Sequence, residues 1–199
     1  MDDLLLSLPP PLLAEVKTAY AQPPRAYHDF AHVQALLHHY RDVAAGPGWQ
    51  QPLEVLLAVL FHDAIYEAGR SDNELRSAQL AQVAITRWLA DSDVDVARVM
   101  ALIELTARHG SLRAEELDAD AALFLDSDMA ILGAPEAVFD AYDRGIAEEY
   151  RGKVPGFLFR LNRRRFLKGV LAQPRIFFSD FFHDRYDAAA RANLQRVTA

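Results

Sequence analysis

At 199 residues, 51% of them hydrophobic, the chain is long enough to build one domain with a sizeable core and short for two, so we expect a single domain over residues 1–199. Its net charge of −7 disfavours a nucleic-acid polymer as partner, and the lack of cysteine excludes disulfides and thiolate chemistry. The N-terminus is acidic where a signal peptide is basic, and no apolar run reaches the roughly 18 residues of a membrane span. These features predict a cytoplasmic protein with no membrane partner.

Helical periodicity runs through the chain, and no stretch shows the alternation of a strand. A first helix over residues 12–20 ends before Pro23 and Pro24, and a second, which opens within residues 25–32, ends at the Gly-Pro-Gly sequence of residues 46–48. Continued to the C-terminus, the pattern gives about nine helices joined by short loops. The sequence therefore predicts an all-α fold.

Two histidines mark the start of the second helix. His32, Leu36 and Tyr40 recur at i, i+4 and i+8, which places His32 on the inward face of the helix. His28 lies one turn earlier, at the start of this helix. Two histidines at this spacing can chelate a metal, although the pattern more often reflects packing or capping.

The third helix, over residues 53–66, is apolar on nearly every side and carries His62 and Asp63 side by side near its end. Only Glu54 is polar among its first nine residues. Burying an unpaired imidazole and carboxylate would cost several kcal/mol, so both groups need partners. A metal ion would satisfy both at once, and a hydrogen-bonded His-Asp pair would also do so. The dipeptide alone favours neither interpretation.

Two further helix starts and ends carry candidate functional residues. Ser71 and Glu74 have the spacing of a capping box, with Ser71 at the N-cap and Glu74 reaching back to it. The next helix begins at Asp91 or Asp93 and ends at Gly110. His109 lies in its last turn and could simply stabilise the C-terminal end of the helix through the helix dipole.

The apolar run over residues 123–133 contains Asp126 and Asp128, and an acidic residue in such a run needs a cation or a hydrogen-bonding partner. In a regular helix these two aspartates point about 200° apart, so they cannot both bind one ion. Asp128 lies in the middle of the apolar arc and is the preferred ligand. Asp126 lies among Ala122, Ala130 and Gly133, where small residues could let another helix approach or let the carboxylate cap a neighbour.

Residues 160–175 contain six basic residues and no acidic one. Such a segment could attract an anionic substrate. A solvated helix face that pairs with neighbouring acidic residues is the favoured interpretation.

Taken together, His32, the His62-Asp63 pair and an aspartate at 126 or 128 follow the order H…HD…D, and here the chain resembles the HD superfamily of metal-dependent phosphohydrolases. Seven blocks over residues 25–193 look like those of one uncharacterised bacterial branch of predicted phosphohydrolases. The blocks are Arg25, Tyr27, His28 and His32; Phe61, His62, Asp63 and Tyr66; Asn73, Glu74, Ser77 and Ala78; Thr106 and His109; Asp126, Asp128, Leu132 and Gly133; Glu149 and Tyr150; and Ala190, Arg191 and Asn193.

The chain departs from the pattern of this branch at three places. Ala147 and Glu148 stand where the branch has an arginine shortly before Glu149, Phe177 replaces a tyrosine, and Asp187 replaces a glutamate. None of these positions is a metal ligand, so the expected metal binding is unaffected. If the missing arginine contacts substrate phosphate in relatives, the choice of substrate in this chain would differ.

The resemblance implies an HD-type helical domain that binds one divalent metal ion and uses metal-activated water to cleave a phosphate ester of a small molecule, for example a nucleotide. The ion (Mn, Mg, Fe, Co, Ni or Zn) would be held by His32, His62, Asp63 and either Asp128 or Asp126. The residues implied in catalysis are Asp63, His28 and Glu74, and those implied in substrate binding are Arg25, His28, Asn73 and His109.

Three alternatives remain open at this point. If His28 and His109 both turned toward the site, two ions about 3.5–4 Å apart could bind, but we expect one because His109 has a structural explanation. The same site could also support a different metal-dependent hydrolase or lyase reaction. In a third interpretation the protein is a non-catalytic sensor that binds a nucleotide.

Overall fold

A computed structural model describes residues 3–199, so Met1 and Asp2, the first residues of the acidic N-terminus, lie outside it. The described chain is 71% helix and contains no strand, which confirms the predicted all-α class. The α-helices among these residues are α1 (Asp3–Ser7), α2 (Pro10–Tyr20), α3 (Phe30–Ala45), α4 (Pro52–Phe61), α5 (Asn73–Trp88), α6 (Val96–Leu105), α7 (Ala119–Met129), α8 (Glu136–Glu149), α9 (Gly156–Leu171) and α10 (Asp180–Thr198). Short 3₁₀ helices lie at Thr106–Ser111, Ala114–Glu116 and Ala130–Gly133. None of the helices within residues 3–199 is long and apolar enough to cross a bilayer.

The chain divides into two compact units, Met1–His109 and Gly110–Ala199. The first unit is built around α4, which packs against α3, α5 and α6. All seven residues from Val55 to Phe61 are buried, as the sequence predicts for a helix that is apolar on nearly every side. A single domain over residues 1–199 stays a prediction.

The second unit is organised around α10, which packs against α7, α9 and the 3₁₀ helix Ala130–Gly133. A Cβ atom added to Gly133 would lie 2.7 Å from the Cβ of Tyr186, so no larger residue fits at this contact. The amide of Asn193 donates to the carbonyls of Leu132 and Ala134, at 2.9 and 2.8 Å, and secures the same contact. The prediction that small residues near Asp126 let another helix approach is confirmed at Gly133.

A second set of hydrogen bonds fastens the loop before α10. Arg191 donates to both Asp187, at 2.6 Å, and the loop carbonyl of Pro174, at 2.9 Å. The other oxygen of Asp187 accepts the backbone N–H of Ile176 at 2.9 Å. The carboxylate of Asp187 therefore has a structural role in this chain.

Two predicted helix starts are wrong, whereas α3 begins within the predicted residues 25–32. It begins at Phe30, because the side chain of Asp29 caps it by accepting the N–H of Ala31, so His28 lies just before the helix. The helix α6 begins at Val96 with Asp95 as its cap, two residues after Asp93. The capping box does not form, since α5 has Asp72 at its N-cap and no side-chain capping bond.

The hydrogen bonds between Arg70 and Asp72 explain why the capping box does not form. Arg70 binds the carboxylate of Asp72 through two hydrogen bonds of 2.7 Å, which holds the residues before α5 in a turn. Ser71 is exposed in this turn. At the other end of α6, the α-helix stops at Leu105, so Gly110 does not terminate it and His109 belongs to the 3₁₀ helix Thr106–Ser111.

Candidate metal centre

Three potential metal ligands meet in the first unit. The Nε2 atoms of His32 and His62 are 3.0 Å apart, and each faces the Oδ2 atom of Asp63, at 3.5 Å from His32 and 3.2 Å from His62. Metal–nitrogen bonds of about 2.0–2.1 Å at a right angle would place two donor atoms about 3 Å apart. Two imidazoles and one carboxylate are good ligands for first-row divalent ions. This group could therefore hold a metal ion.

The helix α4 ends at Phe61 and not at residue 66 as predicted, and this end orients the ring of His62. In a continuing helix the N–H of Asp63 would donate to the carbonyl of Val59, but it donates instead to the hydroxyl of Tyr20 at 3.2 Å. The Nδ1 atom of His62 lies 3.0 Å from the carbonyl oxygen of Val59, to which a neutral ring donates its Nδ1–H. In this neutral form the lone pair of Nε2 faces His32 and Asp63, as a metal ligand requires, whereas a hydrogen bond from Nε2 to Asp63 needs the protonated ring.

The charge on Asp63 also suits a cation. Burial acts to raise the pKa of Asp63, but the imidazoles of His62 and His28, together with hydrogen bonds from His32 and His62, hold this pKa well below its ordinary value. The carboxyl group is therefore ionised at neutral pH. Its side chain is 14% exposed while those of His32 and His62 are almost fully buried, so the cluster is reached from the side of Asp63.

His28 lies at the edge of this cluster. Its Nε2 atom is 4.0 Å from Oδ2 of Asp63, farther than the Nε2 atoms of His32 and His62. Its ring stacks on the ring of Tyr66, with centroids 3.9 Å apart, and meets Tyr27 edge to face. The structure brings His28 to the site, and its role in catalysis or substrate binding stays a prediction.

Arg25 has a positioning role that the sequence does not reveal. Its NH1 group donates to the carbonyls of His28, at 2.6 Å, and Asp63, at 2.8 Å, and its NH2 group donates to that of Ala64 at 2.8 Å. The guanidinium group also lies over the ring of Tyr20, 5.0 Å from the centroid. Arg25 therefore ties the turn that carries His28 to the end of α4. A contact between Arg25 and substrate stays a prediction.

Asn73 and Ser77 fasten the turn that follows Asp63. The side-chain amide of Asn73 accepts from the N–H of Glu67 at 3.1 Å and donates to its carbonyl at 3.0 Å. The hydroxyl of Ser77 makes the same pair of bonds with Ile65, at 3.0 and 3.2 Å. These contacts give Asn73 and Ser77 a structural role, and substrate binding by Asn73 stays a prediction.

Two other predicted site residues lie outside the three-ligand cluster. Glu74 is half-buried in the first turn of α5, and His109 is half-buried in its 3₁₀ helix. Among the residues that the structure describes, only His32, His62 and Asp63 form a group with metal-ligand spacing. The roles of Glu74 in catalysis and of His109 in substrate binding stay predictions.

Asp126 and Asp128 lie on α7 in the second unit. Asp126 is fully buried, and its carboxylate accepts hydrogen bonds from the N–H of Phe178 at 2.8 Å and from the N–H and hydroxyl of Ser179 at 2.7 and 2.6 Å. The alternative in which Asp126 caps a neighbouring helix is thus confirmed, because Ser179 is the N-cap of α10. Burial raises the pKa of Asp126 to about 6, although these hydrogen bonds act to lower it. Asp128 is half-buried, and its choice as the fourth ligand stays a prediction.

Comparison of the chain with protein-family models, with curated proteins and with solved structures finds no match. The relation to the HD superfamily therefore stays a prediction from the motif blocks.

Proposed function

We propose that this protein is a metal-dependent phosphohydrolase that cleaves a phosphate ester of a small molecule, such as a nucleotide. The observation that carries this proposal is the convergence of the donor atoms of His32, His62 and Asp63, with distances of 3.0 to 3.5 Å between them. The order of these residues in the chain, which resembles that of the HD superfamily, supplies the reaction class.

The donor set consists of one carboxylate and two neutral imidazoles, and it fits a divalent cation. A bound cation lowers the pKa of coordinated water and offsets the charge of a phosphoryl group. Three protein ligands are fewer than the six donors of an octahedral ion, so a fourth side chain, water and a phosphate oxygen can complete the shell. Asp128 is the fourth side chain that we propose, with Asp126 as the alternative.

His28 is the residue that we propose for proton transfer. It lies 4.0 Å from Asp63, outside the three ligands, and its ring is held by Tyr66 and by the bond from Arg25 to its backbone carbonyl. Imidazole is a common general acid or base. In this position His28 can take a proton from an attacking water or give one to a leaving oxygen.

The test is a screen of phosphomonoesters and nucleotides with Mn²⁺, Mg²⁺, Co²⁺, Ni²⁺, Fe²⁺ and Zn²⁺. We expect phosphate release by the wild type and none by the His62→Ala/Asp63→Ala variant. The matched control is His38→Ala, whose side chain is 73% exposed and which should keep full activity. Equal phosphate release by the double variant would contradict the proposal. Nucleotide binding without turnover would favour the sensor.

A further inference from the structure

The helix α9 is exposed to an unusual degree. Of its 16 residues only Leu167 and Val170 are buried. Three of its large apolar side chains are exposed, Phe157 by 68%, Leu161 by 62% and Phe166 by 42%. The other exposed large apolar residues in the described chain occur at most two to a helix: Leu6, Leu75, Val83 and Val138. Apolar exposure is therefore concentrated on α9, as at a binding surface.

The same helix carries only positive charge. Its basic residues are Arg160, Arg163, Arg164, Arg165 and Lys168, and it has no acidic residue. Arg163 binds Asp143 at 2.9 Å, as the sequence predicts for a face that pairs with neighbouring acids. Arg160, Arg165 and Lys168 form no ion pair within the described part of the chain. In a protein of net charge −7, these cations are concentrated on one exposed helix and have no internal partner.

Helix geometry places the two kinds of residue together. At about 100° per residue, Phe157, Leu161, Arg165 and Lys168 lie within an arc of about 80°, which we call the outer face of α9. Its first half is apolar and its second half is basic. Clefts of about 530 and 370 Å³ flank the helix, and arginines line both: Arg160, Arg163 and Arg164 the larger, Arg165 the smaller. An anionic group could enter either cleft beside the helix.

The charge of α9 restricts what can cover it. A symmetric contact between two copies of the chain would bring two all-basic helices together, which repel each other. An occupant must therefore be anionic and must also accept apolar side chains. An interfacial helix on a bilayer meets both conditions, because its apolar side chains enter the boundary between headgroups and acyl chains while its cations pair with lipid phosphates.

We propose that the outer face of α9 docks on the surface of an anionic lipid bilayer. Phe157 and Leu161 enter the interface, and Arg165 and Lys168 pair with headgroup phosphates. The attachment is peripheral, since none of the described helices can span a bilayer. The predicted lack of a membrane partner follows from the absence of a membrane-spanning run, and an interfacial helix needs no such run. This surface is independent of the proposed metal centre.

Co-sedimentation of the full chain with vesicles tests the proposal. Vesicles of phosphatidylcholine alone are compared with an equimolar mixture of phosphatidylcholine and phosphatidylglycerol. We expect binding to the mixed vesicles only, and its loss in about 1 M salt, where the Debye length falls to about 3 Å. Replacement of Arg165 or Lys168 by Gln should weaken binding about fivefold each. Arg144 is an exposed residue on α8, so the Arg144→Gln variant is the charge-matched control and should bind to the vesicles as the wild type does.

The apolar half is tested in the same way. The Phe157→Ser/Leu161→Ser variant should weaken binding to mixed vesicles more than tenfold, while Leu75→Ser/Val83→Ser, at exposed sites on α5, should leave it unchanged. Circular dichroism checks that each variant keeps its helix content. Absence of binding to mixed vesicles, or equal binding by the α9 variants, would overturn the proposal. Salt-sensitive dimerisation through α9, or binding to polyglutamate without binding to vesicles, would overturn it too.

Discussion

Replacement of Arg25 by Ala removes the contact between the turn that carries His28 and the end of α4. The guanidinium group makes three hydrogen bonds, to the carbonyls of His28, Asp63 and Ala64. Hydrogen bonds from charged groups contribute about 1.5–3 kcal/mol each, but this site is only half-buried, so the freed carbonyls regain some hydration. We therefore expect the free energy of unfolding to fall by about 3 kcal/mol.

The larger consequence concerns the metal. Loss of a group that orients metal ligands typically lowers metal affinity about 10–100-fold, and we expect a loss in this range for Arg25→Ala. The metal affinity of Arg25→Lys should lie between those of Arg25→Ala and the wild type, because one ammonium group cannot make the forked set of hydrogen bonds that NH1 and NH2 make. Calorimetric titration with Mn²⁺ measures the affinity, and urea unfolding measures stability.

Arg87→Ala provides the control for this experiment. Arg87 also forms a 2.7 Å ion pair in the first unit, with Glu15, but its side chain is 54% exposed, so its removal should cost less stability. We expect the free energy of unfolding to change by about 0–1 kcal/mol and the metal affinity not to change. Addition of guanidinium ion to Arg25→Ala should restore part of the affinity. If folded Arg25→Ala bound Mn²⁺ as tightly as the wild type, the positioning role of Arg25 would be refuted.

Three further predictions concern the second unit and the fourth ligand. Gly133→Ala should lower the free energy of unfolding by about 1–3 kcal/mol through its clash with Tyr186, whereas Gly169→Ala, which has open space around it, should not; thermal melts of both variants decide this. The pKa of Asp126 rises from 3.8 to about 6, so between these pH values the folded state holds a proton that the unfolded state has lost, and the contribution of Asp126 to stability should fall by about 3 kcal/mol as pH rises through this window. Because the lowered pKa values of Asp63 and Asp187 act in the opposite direction, urea unfolding should show the fall as a difference between the wild type and Asp126→Asn, and equal pH dependence of the two would contradict the assignment. Mn²⁺ titration should show loss of affinity for Asp128→Asn and not for Asp126→Asn, and the reverse result would identify Asp126 as the ligand.

The inward position of His32 and the burial of α4 follow from periodicity, and both could be predicted from the sequence. Apolar residues at helical spacing report which face is buried without any knowledge of neighbours. To predict that His32 converges with His62 and Asp63, the chemistry of buried polar groups is needed as well, since an imidazole and a carboxylate inside a protein must find partners. The structure confirms that these three side chains meet.

The role of Arg25 could not be predicted in this way. Its bonds to Asp63 and Ala64 span nearly 40 residues of chain and end on backbone carbonyls, which have no residue identity and leave no pattern in the sequence. The capping box at Ser71 failed for a related reason, because Arg70 competes for the local turn through Asp72. Local motifs predict poorly where a neighbouring side chain offers a stronger bond.

Asp126 shows how an ambiguous pattern is resolved by packing. Its position among small residues allowed either a close helix contact or a cap, and the structure has both, with Gly133 against Tyr186 and Asp126 on the N-terminus of α10. The helix wheel could not identify Ser179 as the partner, since that residue lies 53 positions away in the chain. Long-range pairs of this kind are determined by the fold as a whole.

A crystal structure of the protein soaked with Mn²⁺, recorded near the manganese absorption edge, shows whether His32, His62 and Asp63 bind a metal ion. We expect one anomalous peak about 2.0–2.2 Å from the Nε2 atoms of His32 and His62 and from the Oδ2 atom of Asp63. The same map will show which aspartate, if either, completes the shell. Folded protein with no peak at these three atoms, at an Mn²⁺ concentration that saturates the titration, would contradict the claim.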